Sequence, residues 1–357
     1  MRNYVNENNI PAAGKFFCKI NGQFRPSRLG SSSGPILNQR AMKSRKRLFK
    51  RQILQHCYQR TAEGFLLFYN VSDYLVFFTL FCTVARKHEV TVLSLCQMPD
   101  HIHHATRTKS AKQLADFTGE YSRRFSREHN VTCHRKGTLF DSPFGSALKS
   151  GDKKGRGTLL YIGNNPVERR LCRQARAYRW NYLAYYQNAH PFSEALILRN
   201  ATRALQRAVK EVDACFNKGN PLHYAQLQRM FKPLDKQESL QLTDYVISTY
   251  NAIDYEEALR FFHSYEDMLD AMDVDTGSEY DINEVFIGRD DRHYTKMSAI
   301  VSRLYPDIHD VLALSPDGQF DMLTMLMRET RAEPEQIARF LRMKLKKAEN
   351  QDYEVSL

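Results

Sequence analysis

The stretch SDYLVFFTLFCTVARKHEVTVLSLCQMPDHIHHAT, residues 72–106, decides the fold of this chain. It opens with Ser72–Arg86, where a capping residue precedes apolar residues at helical spacing, so we predict a helix. Glu89–Cys96 is apolar and β-branched, which is typical of a strand. Pro99-Asp100 then favours a turn, from which His101–Thr106 returns as the next strand of a hairpin.

The elements on either side of this stretch complete a known pattern. A first strand is predicted at Phe16–Ile20, before the helix. After the hairpin, Ser110–Glu128 has the pattern of an amphipathic helix and Pro143–Lys149 that of a short fourth strand. One more helix is predicted at Thr158–Asn164, ending before Asn165-Pro166. The order strand, helix, strand, strand, helix, strand predicts an α+β fold, with a ferredoxin-like, split βαβ domain and an antiparallel sheet.

Charge divides the chain into two unlike halves. The 357 residues include 52 Lys and Arg against 40 Asp and Glu, for a formal net charge of +12. Residues 1–190 hold 32 of the basic and 11 of the acidic residues, whereas residues 191–357 hold 20 and 29. A basic half of this density indicates a polyanionic partner.

The predicted domains follow the same boundary. Residues 1–190 form a basic domain that carries a basic insertion at 24–63. Long helical patterns dominate the rest, so residues 191–309 are predicted to form an acidic helical domain and residues 310–357 a helical hairpin. Within that hairpin, Glu335–Leu341 resembles the second helix of a helix-turn-helix, with an ordinary hairpin as the alternative.

The cysteines and the N-terminus indicate a compartment. The seven cysteines are odd in number and none stands in a C-x-x-C arrangement, which argues against a disulfide framework and suits a reducing cytosol. The N-terminus lacks the apolar stretch of a secretory signal. The run Phe65–Val84 has the length of a membrane span, but Asn70, Ser72 and Asp73 interrupt it at a high energetic cost. We therefore expect a cytoplasmic protein that does not cross a membrane.

Two short motifs carry side chains that can do chemistry. Alternate residues of a strand share a face, so His101 and His103 point the same way and can bind one divalent cation. Taken alone, such a pair is more often incidental than a ligand pair. Tyr161 and Asn165 are four residues apart, so a helix places them on one face. A tyrosine there is normally a core residue, but Asn165 can also bring a carbonyl oxygen to the same cation.

These motifs together resemble those of a known family. MPDHIHH, followed by YIGNNPV with Tyr161 58 residues after His103, is similar in order and spacing to the motifs of the single-tyrosine HUH transposases. NVSDYLVFFTLF and TLFDSPFGSALK resemble further segments of that family. The resemblance covers about residues 14–185 and is strongest to the REP-associated tyrosine transposase branch.

The resemblance implies a reaction on single-stranded DNA. Tyr161 would attack the scissile phosphorus, form a 5′-phosphotyrosine and release a 3′-hydroxyl, so that one strand is cleaved and rejoined at hairpin-flanked sites. His101, His103 and Asn165 would bind Mg²⁺ or Mn²⁺, which neutralises charge on the phosphate oxygens. A covalent intermediate keeps the phosphodiester energy, so that resealing needs no ATP. Such an endonuclease would serve transposition and DNA recombination in the cytoplasm of a bacterium, in association with the nucleoid.

Single-stranded or hairpin DNA is the expected partner, and a homodimer is compatible with the sequence. Lys and Arg bind DNA by neutralising phosphates. The candidates for this contact lie near the two motifs or in a dense positive run, and they are Lys43, Arg45, Lys46, Arg47, Arg107, Lys109, Arg123, Arg124, Lys149, Lys153, Lys154, Arg169 and Arg173.

Three alternatives stay open at this point. The first is a catalytically silent DNA-binding protein derived from such a transposase. The second is a replication initiator or relaxase, enzymes that share the HUH chemistry but usually have a longer histidine motif and often two tyrosines. The third is a nucleic-acid module in which the histidine pair, with His129, Cys133 or His134, holds a structural Zn²⁺.

Overall fold

The structure is a computed structural model that describes residues 48–141, 144–273, 290–347 and 353–356. The chain divides into two compact units. The larger unit lies within Lys46–Lys344, and the described residues 345–347 and 353–356 belong to the smaller one. The strand predicted at Phe16–Ile20 and the first five residues of the basic run Lys43–Arg51 lie outside the described residues.

A four-stranded antiparallel sheet lies in the larger unit. Its strands are β1 (Leu54–Arg60), β2 (Thr91–Gln97), β3 (His101–Arg107) and β4 (Gly145–Lys149). They lie side by side in the order β2-β3-β1-β4, and every neighbouring pair is antiparallel. This order, with one helix after β1 and another after β3, is that of the split βαβ fold. The predicted α+β, ferredoxin-like class is therefore confirmed.

Two helices pack on one face of this sheet. They are α1 (Val71–Lys87) and α2 (Ala111–Thr132). α1 begins with a capping box, in which the Asn70 side chain accepts a hydrogen bond from the Asp73 backbone N–H at 3.1 Å and the Asp73 carboxylate accepts one from the Asn70 N–H. The apolar side chains of α1 and α2 share a core with Ile102 of β3.

A third helix, α3 (Asp152–Glu168), packs on the opposite face, where its Leu159 and Ile162 share a core with Ala105 of β3. The helix is longer than the predicted Thr158–Asn164, because it begins inside the Gly/Lys-rich stretch and contains Pro166. The proline lies two residues before the end of the helix, where its missing N–H costs only one backbone hydrogen bond.

The first strand of the four-stranded sheet is β1, at Leu54–Arg60, and not the predicted segment Phe16–Ile20. β1 comes from the end of the segment that we interpreted as a basic insertion, 24–63. Its sequence, LQHCYQR, has no apolar alternation, because polar side chains of β1 are buried beside polar partners. Gln59, for example, donates a hydrogen bond to the Ser122 hydroxyl of α2 at 2.9 Å.

The rest of the larger unit is helical. Its helices are α4 (Arg203–Asn217), α5 (Tyr224–Phe231), α6 (Lys236–Tyr250), α7 (Tyr255–Leu259), α8 (Tyr265–Asp273), α9 (Arg292–Leu304), α10 (Pro316–Thr330) and α11 (Pro334–Leu341). Short 3₁₀ segments lie at Ala62–Gly64, Ala175–Ala177, Arg179–Asn181, Leu183–Tyr185, Leu198–Asn200 and Ile308–Ala313. After α11, β5 (Lys344–Lys347) pairs with β6 (Tyr353–Ser356) in a two-stranded sheet that belongs largely to the smaller unit. The predicted, mostly helical C-terminal region is thus confirmed.

Three of the helices beyond residue 190, α4, α5 and α6, share a hydrophobic core with α1. Buried side chains of α4 and α6, such as Val209 and Val246, belong to the same cluster as Phe77 and Phe81 of α1. The predicted division into residues 1–190, 191–309 and 310–357 stays a prediction, and the structure adds that residues 46–344 form one compact unit.

The apolar run Phe65–Val84 is accommodated by burial. Its first residues, including Leu66 and Leu67, are fully buried outside any helix or strand, and the rest of the run lies in α1. In the part of the chain that the structure describes, no helix is long and apolar enough to cross a membrane.

Candidate active site

The two histidines of the H-x-H motif lie at the start of β3 and share one face of the sheet. Both are buried, and their ring centroids are 4.8 Å apart with the ring planes nearly perpendicular. His104, the next residue, faces the opposite side, where its Nε2 lies 3.1 Å from the Tyr121 hydroxyl of α2. Burial, together with the charges of His56 and His103, lowers the pKa of His104 to about 3, so this imidazole is neutral.

Asp100 orients the first histidine. Its Oδ1 lies 2.5 Å from His101 Nδ1. Burial opposes ionisation of Asp100, but the adjacent His101 outweighs it and holds the pKa of the carboxyl well below its usual range. A carboxylate at Nδ1 accepts the proton on that atom and orients the ring so that Nε2 points away from Asp100. That Nε2 is buried without a hydrogen-bond partner among the described residues.

The second histidine contacts β1. His56 Nε2 lies 3.0 Å from His103 Nδ1, and the two rings have centroids 5.2 Å apart. The antiparallel register sets His56 opposite Ala105 and Tyr58 opposite His103, so both β1 side chains alternate onto the face that carries His101 and His103. The Tyr161 phenol of α3 lies beside the rings of His56 and His103.

α3 brings Tyr161 to these histidines. The centroid of the Tyr161 ring is 5.5 Å from that of His103 and 5.7 Å from that of His56. Tyr161 is buried, with a 4 % exposed side chain. Asn165 lies one turn further along the helix and is also buried, and its Oδ1 has no hydrogen-bond partner among the described residues. The structure thus brings Tyr161 next to the predicted ligand pair, with Asn165 following on the same helix.

Residues from beyond position 190 hold α3 in place. The Arg156 guanidinium of α3 donates a hydrogen bond to the Asp267 carboxylate of α8 at 3.1 Å. Two glycines of α3, Gly155 and Gly163, lie directly against Phe261 and Met272, so that a Cβ at either position would overlap the facing side chain. The absence of a Cβ is therefore what allows this close approach.

The donors present fit a hard or borderline divalent ion. His101 Nε2 and Asn165 Oδ1 are buried atoms with available lone pairs, and a buried polar atom without a partner is rare in a folded protein. An imidazole nitrogen and an amide oxygen both suit Mn²⁺, and an oxygen suits Mg²⁺. Among the described residues, no group of three or more His, Cys, Asp or Glu side chains is arranged to hold a metal ion. The predicted ligand set is two histidines and one asparagine, so only two of its three side chains are of these four types.

The alternative zinc site receives no support in the described part of the chain. His129 Nε2 lies 3.1 Å from the Leu67 carbonyl oxygen, 3.2 Å from Arg342 Nη2 and 3.7 Å from Cys133 Sγ. An arginine beside an imidazole nitrogen opposes a cation there, and burial and the Arg342 charge lower the pKa of His129 to about 3.

The cations predicted to contact DNA have different surroundings. Arg123 on α2, Lys153 and Lys154 on α3, and Arg173 are exposed. Three others form ion pairs: Arg107 with Glu257, Lys109 with Glu89, and Arg124 with Glu120. Lys149 and Arg169 are buried. Lys43, Arg45, Lys46 and Arg47 lie outside the described residues.

The site also contains residues that the motifs did not reveal. His56 comes from a strand whose sequence did not suggest one, and Asp100 was interpreted as a turn residue. The alternation His56-x-Tyr58 in β1 is a signal for His56, since it matches the alternation of β3. Asp291, which follows a long acidic stretch, lies 3.6 Å from Arg169, and burial and the nearby Asp100 raise its pKa to about 7.

Comparisons with known proteins give one distant similarity. No protein-family model and no curated protein matches the chain. Among solved structures, the chain is similar to a REP-associated tyrosine transposase bound to a REP hairpin, with 14 % sequence identity, 39 % of this chain and 81 % of that chain covered, and a TM-score of 0.33.

Proposed function

We propose that this protein is a metal-dependent transposase or single-stranded-DNA endonuclease that cleaves and rejoins one DNA strand through Tyr161. The observation that carries the proposal is the grouping of Tyr161 and His103, whose ring centroids are 5.5 Å apart, with His101 beside them. His101 Nε2 is buried without a hydrogen-bond partner among the described residues, so its lone pair is available to an ion. Single-stranded or hairpin DNA is the proposed partner, in the cytoplasm of a bacterium.

The chemistry that we assign to these residues is a transesterification. The Tyr161 oxygen attacks the scissile phosphorus, the new O–P bond forms as the bond to the 3′-oxygen breaks, and the leaving 3′-oxygen takes up a proton. His101, His103 and Asn165 would hold a Mg²⁺ or Mn²⁺ ion, which supplies charge neutralisation at the phosphate oxygens. Asp100 and His56 hold the two imidazoles in orientation through Nδ1. Attack by another 3′-hydroxyl on the phosphotyrosine reverses the step and rejoins the strand.

One observation favours a second candidate function. Tyr161 is 4 % exposed, so its hydroxyl has little access to a phosphate in this conformation. A catalytically silent DNA-binding protein with the same fold would bury its tyrosine in this way. The cleavage proposal therefore requires that α3 or the strand ends move when DNA binds.

A cleavage assay distinguishes the two functions. A hairpin oligonucleotide with single-stranded flanks is incubated with the full chain in Mn²⁺ or in EDTA, and the products are separated under denaturing conditions. We expect Mn²⁺-dependent cleavage, and loss of cleavage in His101→Ala. His263→Ala, which removes an exposed histidine of the same chain, is the matched control and should cleave normally.

Binding measured in the same preparations completes the test. Both candidate functions predict DNA affinity that falls steeply with salt, with a slope of about −0.7 per neutralised phosphate for a single strand. Binding without cleavage in Mn²⁺ would favour the silent protein. Cleavage that is unchanged in EDTA would contradict the role of a metal ion, and affinity that does not respond to salt would contradict both candidates.

A further inference from the structure

A polar cavity opens beside the candidate metal ligand His101. Its volume is about 300 Å³, at the lower end of the range of pockets that hold small ligands. Its charged or titratable lining residues are Arg60, Glu63, Asp100, His101, Asp141, Arg169 and Arg339. They come from five separate parts of the chain, and all of them belong to the larger compact unit.

Strand pairing fixes one side of the cavity. Arg60, the last residue of β1, lies directly opposite His101 in the antiparallel register. The chain of Asp141 continues that pairing, since its N–H donates a hydrogen bond to the Arg60 carbonyl oxygen at 3.1 Å. Arg60 and Asp141 therefore both line the cavity beside His101.

The end of α3 supplies the next wall. Arg169 caps α3, and its N–H donates a hydrogen bond to the Asn165 carbonyl oxygen at 3.1 Å. Tyr161, Asn165 and Arg169 are spaced at four-residue intervals, so they follow one another along one face of the helix. Because Arg169 lines the cavity, the cavity lies at the C-terminal end of α3, beyond Tyr161 and Asn165.

The C-terminal helix α11 supplies Arg339. A Cβ built at Gly64 would lie 3.6 Å from Arg339 Cζ, so the guanidinium rests against this glycine, whose φ of +70° also favours glycine. α11 is fixed here by its backbone, because the Phe340 carbonyl oxygen accepts a hydrogen bond from the Tyr69 hydroxyl at 2.7 Å. Arg339 thus projects from a docked helix, five of whose eight residues are buried.

The lining carries both signs of charge. Guanidinium groups donate hydrogen bonds only, and carboxylates accept them only. A bare anion would use the arginines but would be repelled by Asp100 and Asp141. A nucleotide uses both, because its phosphate accepts from guanidinium groups while its base presents donors as well as acceptors.

We propose that this cavity binds one unpaired nucleotide of a DNA strand, and that Arg339 of the C-terminal helix contacts it. The inference deepens the proposed function and rests on it for the identity of the strand as DNA. The nucleotide beside the scissile phosphate would occupy the cavity. The C-terminal region would then contact the substrate directly, through Arg339.

Mononucleotides test the pocket without any cleavage. The full chain is titrated with each of the four deoxynucleoside 5′-monophosphates, with deoxyribose 5-phosphate and with inorganic phosphate, and binding is followed by ligand-observed NMR. We expect at least one nucleotide to bind about tenfold more tightly than deoxyribose 5-phosphate, because hydrogen bonds to the base discriminate at this level. Equal binding of nucleotide and phosphate would overturn the proposal in favour of an anion site, and so would the absence of saturable binding.

Variants locate the binding in the cavity. Arg339→Ala should weaken the binding of the nucleotide and of deoxyribose 5-phosphate alike, because its guanidinium binds the phosphate that they share, whereas Asp141→Asn should remove the advantage of the nucleotide. Arg328→Ala, at an exposed arginine of α10, should keep it. If Arg339→Ala does not fold, Arg339→Met keeps a long unbranched side chain without the charge and serves instead. Selective binding that survives both cavity variants would overturn the assignment of the site. Failure of DNA cleavage would instead count against the proposed function and would leave these binding results unaffected.

Discussion

His56 Nε2 lies 3.0 Å from His103 Nδ1, so that a side chain of β1 supports a candidate metal ligand of β3. Imidazoles that bind metal usually donate their second ring N–H to a neighbouring acceptor, which fixes the tautomer and orientation of the ring. His56 fills this position for His103, as Asp100 does for His101. The candidate ion site is therefore supported from two strands.

Removal of this support should weaken metal binding. In His56→Ala we expect Mn²⁺ affinity to fall by about 10- to 100-fold, as for other residues that orient metal ligands. Electron paramagnetic resonance of free Mn²⁺ during a titration measures the affinity without DNA. His263→Ala should bind Mn²⁺ like the parent protein, and an unchanged affinity in His56→Ala would remove His56 from the site.

The close approach of α3 and α8 should be sensitive to a single methyl group. A Cβ at Gly163 would overlap Met272, so Gly163→Ala should lower the free energy of unfolding by about 1–3 kcal/mol. Urea denaturation measures the change. A second substitution, Met272→Ala, opens the space, and the loss caused by Gly163→Ala should be smaller in that background.

Gly157 provides the matched control for this prediction. It lies on the same helix, and a Cβ there would meet nothing within 4 Å. Gly157→Ala should therefore stabilise the protein by up to about 1 kcal/mol, because alanine has the higher helix propensity. If the two substitutions had equal effects, the packing of α8 on Gly163 would not be what holds α3.

The sequence predicted the elements that have strong local signals. The helix at Ser72–Arg86, the hairpin around Pro99-Asp100 and the helix at Ser110–Glu128 agree with α1, β2, β3 and α2 to within a few residues. Periodicity was sufficient there because each element buries an apolar face. It was insufficient for β1, where His56 and Gln59 are buried through contacts with partners 47 and 63 residues away.

The candidate site could be predicted only in part for the same reason. The H-x-H spacing placed His101 and His103 on one face, because strand geometry alone requires it. The contact between β3 and α3, which brings His103 to Tyr161, depends on how the helix packs on the sheet. Arg339 lines the same cavity as His101 only through the docking of α11, and no local pattern encodes a meeting of positions more than 200 residues apart.

A buried ion pair joins α1 to the C-terminal region. His309 Nε2 lies 3.0 Å from Asp73 Oδ1, and its Nδ1 lies 2.7 Å from Asp307 Oδ1. Removing one partner of such a pair leaves a buried charge, so His309→Gln should lower the free energy of unfolding by about 3 kcal/mol at pH 6. Chemical denaturation measures this, and a loss below about 1 kcal/mol would show that the pair contributes little.

The same pair should make stability depend on pH. Burial alone would lower the pKa of His309, but Asp73 and Asp307 outweigh it and hold the pKa well above the usual 6.5. Burial alone would raise the pKa of Asp73, but His309 outweighs it and lowers that pKa to about 2. The other titratable groups around the pair are Tyr69, Tyr224, His129, Cys133 and Arg342.

The sign of the effect differs between the two ends of the pH range. The contribution of His309 is complete below about pH 6.5 and is lost as the pH rises, whereas that of Asp73 is complete above about pH 4 and is lost towards pH 2. Stability from the pair should thus be greatest between about pH 4 and 6.5. The difference in unfolding free energy between the parent and His309→Gln should shrink above pH 7, and a difference that stays constant to pH 9 would contradict this assignment.

The central claim is that Tyr161 is the nucleophile of a DNA strand cleavage. The most direct measurement incubates the full chain with Mn²⁺ and a hairpin oligonucleotide labelled at either its 5′ or its 3′ end, followed by denaturing electrophoresis and mass spectrometry of the covalent adduct. The account predicts that the 3′-labelled strand becomes attached to the protein, that the attached peptide contains a phosphotyrosine at Tyr161, and that Tyr161→Phe forms no adduct. An adduct that persists in Tyr161→Phe, or a 5′-labelled strand attached to the protein, would contradict it.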